Sequence, residues 1–81
     1  MREAIIDNDL RLLATMNRRL ELVAGLRAYK AEQGMEFVDS SREQWMHSYL
    51  RGANNGPLSD DGLRELYEAV LGLTKQETAE E

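Results

Sequence analysis

Cysteine is absent from the 81 residues of this chain, so neither a disulfide framework nor a thiolate metal site can form. Proline occurs once, at Pro57, which leaves the long N-terminal stretch without the residue that most reliably breaks a helix. The one histidine, His47, has no carboxylate or serine at useful spacing, and a catalytic triad is excluded. No glycine-rich phosphate loop is present, and the carboxylates show no metal-ligand spacing, so neither a metal nor a cofactor is expected. No apolar run approaches the ~20 residues of a membrane span. No signal-peptide pattern opens the chain, and a cytoplasmic protein with no membrane partner is expected. Positive charge is the minority sign: ten Lys and Arg stand against fifteen Asp and Glu, a net charge of −5. That balance argues against nucleic-acid binding as the main role.

What the chain does have is helical periodicity. From Arg2 to Gln33 there is a single glycine, Gly25, and the segment reads as one helix of roughly 45 Å. Gly34 fits a helix C-cap, with Met35 to Val38 as a short loop. Ser40-Ser41-Arg42-Glu43 matches a capping box and starts a second helix that runs to about Arg51. Asn54-Asn55-Gly56-Pro57 reads as a turn. A third helix begins near Ser59 or Asp60, with Leu63, Leu66, Tyr67, Val70 and Leu71 on one face. The acidic tail, Glu77 to Glu81, is expected to fray. No strand pattern appears, and residues 1–81 read as one all-α domain of three helices, one long and two shorter.

The stripe that should pack the first helix is chemically mixed. Alternating steps of three and four give Arg2, Ile5, Asp9, Leu12, Met16, Arg19, Val23, Leu26 and Lys30. Burying unpaired charge costs several kcal/mol, so charges in such a stripe need a partner or a ligand. Arg2 and Lys30, near the helix ends, can extend to water. Arg19, between Met16 and Val23, has less room to do so. Arg19 and Lys30 project from nearly the same side, ~16 Å apart along the axis, and both can lean toward one small molecule. Arg2 is another ~25 Å away in the opposite direction and reaches that molecule only across an antiparallel pair of chains. The two shorter helices cannot cover the whole stripe, which predicts a helical dimer in which the long helices pair.

The second helix repeats the mixture through Asp39, Arg42, Glu43, Met46 and Leu50. Each charge also has a plain explanation. Glu43 can complete the capping box, and Asp39 and Arg42 can be a solvated first turn. Thr74, continuing the stripe of the third helix, can be a satisfied core hydroxyl, and Trp45, Met46, Tyr49 and Leu50 can be core and interface. Taken together, many cations, few carboxylates and no nucleophile suit binding a multiply charged anion and stabilising charge as it moves.

The order Arg2-x2-Ile5-x3-Asp9, Leu12-Leu13, Arg18-Arg19, Lys30, Asp39-x2-Arg42-Glu43 resembles the helical class of chorismate mutase. The third helix follows more loosely, through Leu63, Leu66, Tyr67, Val70 and Thr74. The resemblance implies an intertwined homodimer of three-helix chains that converts chorismate to prephenate by a Claisen rearrangement, at the branch toward phenylalanine and tyrosine. By analogy Arg19 and Arg42, with Arg2 donated in trans, hold the two substrate carboxylates, and Lys30 contacts the ether oxygen. Glu43, helped by Asp39, binds the ring hydroxyl, and Thr74 stands where the family often has a serine contacting a carboxylate. The family usually has glutamine or glutamate one turn later, paired with the lysine. Thr78 occupies that position here, with Gln76 and Glu77 off register. Either the last helix shifts to bring Gln76 or Glu77 inward, or the contact is weakened. A glutamate there must be protonated to donate, and activity would then fall as pH rises. The resemblance also leaves room for a partner enzyme of the same pathway. Two other readings stand beside it: an isochorismate pyruvate-lyase of the same fold, and a non-catalytic helical dimerisation or regulatory module. Glu43 directly after Arg42 favours the mutase.

Overall fold

Long helical periodicity without proline produces a single helix, α1, spanning Arg2–Glu32. The computed structural model describes residues 1–35 and 40–78, the side chain of Ser40 excepted. Helix α1 ends in a Schellman arrangement. The Met35 amide donates to the Lys30 carbonyl at 2.8 Å, and the Gly34 amide donates to Ala31 at 3.2 Å. Gly34 takes φ of 69°, a left-handed conformation that a side chain would make costly. The loop expected over Met35 to Val38 lies, after Met35, outside the described residues.

Helix α2 covers Ser40–Ala53, two residues longer than expected. The Ser40 half of the capping box lies outside what is described. After α2 the chain turns on Asn54, whose Oδ1 accepts from the Gly56 amide at 3.2 Å, while its Nδ2 donates to the Leu58 carbonyl at 2.8 Å. Such a side chain substitutes for backbone partners in a tight turn. Helix α3, Asp60–Thr78, is capped by Ser59, whose Oγ accepts from the Gly62 amide at 3.0 Å. A Cβ at Gly62 would lie 2.9 Å from Leu58 Cδ1 and 3.1 Å from Ser59 Oγ, so glycine permits this cap to close. The described residues form three helices and no strand.

Helix α3 packs against both α1 and α2, whereas α1 and α2 do not pack on each other among the described residues. The described body measures 48 × 26 × 17 Å, and α1 sets its long dimension. Leu63 and Thr74, both on α3, are the buried residues of the described core. Around them Tyr67, Val70 and Leu71 are half-buried, while Leu66, expected on the same face, is 49% exposed at its edge. On α2, Glu43, Met46, His47 and Leu50 form the half-buried row. Trp45 and Tyr49 are exposed instead, their rings stacked with centroids 5.3 Å apart.

Cover is uneven along α1. Every residue from Met1 to Thr15 is exposed. From Met16 onward a half-buried row appears: Met16, Arg19, Leu20, Val23, Arg27 and Lys30. The apolar side chains of the first half, Ile5, Ile6, Leu10, Leu12 and Leu13, are 57–61% exposed. No helix is long and apolar enough to cross a membrane among the described residues.

Candidate active site

A threonine of α3 anchors the site. Thr74 is 4% exposed, so its hydroxyl must find partners inside the fold. It donates to the Val70 carbonyl one turn earlier at 2.6 Å and accepts from Nη1 of Arg19 on α1. The bond ties α3 to the middle of α1. It also fixes the guanidinium, which carries five donors and commits one of them here. Thr74 is therefore both the satisfied core hydroxyl and a lining residue of the site.

Beside this bond is a cavity of about 200 Å³ lined by all three helices. Helix α1 supplies Arg19, Val23, Leu26 and Lys30, and α2 supplies Arg42, Glu43 and Met46. Helix α3 closes it with Tyr67, Leu71, Thr74 and Lys75. The spacing explains the arrangement. Arg19, Val23, Leu26 and Lys30 recur at four, three and four residues, one face of α1. Val23 and Leu26 stand in the cavity wall between the two cations. The result is an apolar floor with charges around it, the usual form of a small-ligand site.

Of the residues singled out from the sequence, Arg19, Lys30, Arg42, Glu43 and Thr74 come together on this cavity. Arg2 does not line it; it is exposed at the far end of α1. Asp39 lies outside the described residues. Thr78 does not line the cavity either, because its hydroxyl donates to the Thr74 carbonyl at 2.6 Å. Threonine in a helix commonly makes this bond to its own preceding turn, and here it occupies the group expected to face the ligand. Gln76 and Glu77 are exposed, so α3 has not shifted to bring either inward.

Lys75 is the lining residue that the sequence reading missed. Its Nζ lies 3.5 Å from Oε1 of Glu43, linking α3 to the first turn of α2. The signal was the row Tyr67, Leu71, Lys75 at steps of four, which continues the cavity face of α3. Among the described residues the lining thus carries four cations and one carboxylate, a formal sum of +3. Among the described residues no cluster of side chains suits a metal ion.

Comparison with curated proteins and with solved structures gives no match. Comparison with family profiles gives one that spans residues 1–78, nearly the whole sequence. Its family is described as chorismate mutase type II, and all three helices, with every lining residue of the cavity, fall inside the matched range. The chain belongs to the chorismate mutase type II family.

Proposed function

We propose that this chain is a chorismate mutase that rearranges chorismate to prephenate within a single cytoplasmic domain of residues 1–81. The observation that carries the reading is the convergence of Arg19, Lys30, Arg42, Glu43 and Thr74, from three helices, on one cavity in a chain of this family. The reaction breaks an ether C–O bond and forms a C–C bond within one molecule, so it calls for no nucleophile and no external electron acceptor. The demands are geometric and electrostatic. A flexible dianion must be held in its compact conformer, and positive charge must await the oxygen that gains electron density. A rate gain on the order of 10⁶ corresponds to about 8 kcal/mol of differential stabilisation.

Five of the lining residues have a task in this scheme. Arg19 and Arg42 grip the substrate carboxylates, for which the planar guanidinium fork is well matched. Thr74 holds Arg19 in place for that grip. Lys30 meets the ether oxygen, and Glu43 accepts from the ring hydroxyl. The position one turn after Thr74 offers Lys30 neither glutamine nor glutamate in this scheme, since it is Thr78, which donates to its own helix.

The site is completed by a second copy of the chain. The exposed apolar row of α1's first half is the surface that would pair, and antiparallel pairing would carry Arg2 of one chain to the cavity of the other.

The test is direct. Purified protein is incubated with chorismate while loss of its diene absorbance and formation of prephenate are followed. Acceleration over buffer at micromolar enzyme is expected. Its absence contradicts the reading, and pyruvate release from isochorismate would reassign the cavity to the lyase reaction.

A further inference from the structure

Among the described cavity cations, Lys75 is the one to which the scheme above gives no task. It is 54% exposed, and Glu43, its partner across the cavity, is 34% exposed. Ion pairs this open to solvent add little to stability, because water screens them and two long side chains lose freedom. Stability is a poor reason for this pair. The electrostatics of the cavity supply a better one.

Among the described residues of the wall, Glu43 is the single carboxylate beside Arg19, Lys30 and Arg42. An ionised carboxylate there attracts the same cations that an anionic ligand must engage. Lys75 approaches from α3 and gives Glu43 a counter-ion separate from the cations of α1 and α2. It also fixes the direction of the carboxylate, whose two oxygens offer about four acceptor positions. One ammonium at 3.5 Å leaves capacity for a ligand hydroxyl.

We propose that Lys75 is a positioning residue that holds the Glu43 carboxylate toward the substrate's ring hydroxyl, and so sets discrimination for that hydroxyl without touching substrate. This rests on the mutase reading. The experiment compares kcat and KM of the wild-type chain, Lys75→Met, Lys75→Arg, Glu43→Gln and the double variant Glu43→Gln/Lys75→Met. Chorismate and an analogue lacking the ring hydroxyl are the substrates, and the thermal midpoint of each protein is recorded.

Lys75→Met should lower kcat/KM for chorismate by about two- to fivefold, the scale of an exposed ion pair, chiefly through KM. Lys75→Arg should restore most of the loss. The same Met substitution should have no effect on the analogue without the hydroxyl, nor in the Glu43→Gln background. Lys75→Gln repeats the comparison if the Met variant folds poorly. Equal losses on both substrates would show that Lys75 contacts the ligand directly, and would overturn the positioning role. So would a loss that persists in the Glu43→Gln background, or an active wild type that Lys75→Met leaves unchanged. A wild type inactive on chorismate overturns the mutase reading itself, and is recognised before any variant is compared.

Discussion

The two halves of α1 share one sequence pattern and differ in what covers it. Ile5, Leu12, Met16, Val23 and Leu26 fall on one stripe, yet the first two are 57% and 61% exposed, while Val23 is half-buried and Leu26, 43% exposed, lines a cavity with it. The difference lies in α3, which bonds to α1 at Arg19 and lines the cavity with its second half. A stripe of this kind is a list of side chains that want cover, and it does not say which element supplies it. In the second half the cover is intramolecular and the charges within it, Arg19 and Lys30, line a site. In the first half the apolar row is left open, which is the physical ground for proposing a second chain there.

Four substitutions break or sharpen this contrast. The largest effect is expected from Leu12→Glu, which puts a carboxylate into the row that the proposed dimer buries, at a cost of several kcal/mol. Sedimentation should show dimers for the wild type and monomers for the variant, and turnover should vanish with the dimer. An unchanged assembly would mean that this half of α1 simply faces water. Next is Arg42→Ala, in the covered half of the site, which should reduce kcat/KM by about 10²- to 10³-fold, as for loss of one preorganised charge-stabilising donor. Sedimentation of that variant should match the wild type. Loss of the fold instead would make Arg42 structural.

Thr74→Val is milder. It removes the acceptor for Arg19 at the contact between α1 and α3, and about 1.5–3 kcal/mol of stability should go with it in chemical denaturation. A variant as stable as the wild type would show that the bond does not hold the covered half together. The smallest effect is expected from Gly34→Ala, where φ of 69° penalises a side chain by roughly 1–2 kcal/mol. Its kcat should be unchanged, since Gly34 touches no part of the cavity.

The same contrast marks what the sequence could and could not reveal. Local devices were legible: the long helix from its unbroken periodicity, the stop at Gly34 from its tolerance of positive φ, and the Asn54 turn from its side-chain acceptor. The cavity was legible as a set of residue types, because Arg19 and Lys30 interrupt an apolar stripe and Arg42-Glu43 repeats the interruption. Lys75 was not. By position it is a solvated cation in the last turn of a helix, favoured there by the dipole, and only the packing of α3 on α2 brings it to Glu43. Thr78 went the other way. Its place one turn after Thr74 suggested the site, but a threonine hydroxyl has a carbonyl of its own helix within reach, and takes it. Leu66 and the exposed pair Trp45 and Tyr49 teach the same limit, since a residue at the edge of a stripe is assigned by its neighbours in space.

The claim that joins the two halves is that each site takes Arg2 from the other chain. Chains carrying Arg2→Ala and chains carrying Arg42→Ala, each inactive alone, are mixed in equal amounts, exchanged, and assayed with chorismate. Half of the resulting dimers are mixed, and one of the two sites in each has both arginines, so about one quarter of wild-type activity should return. No recovery after verified exchange would contradict the shared site.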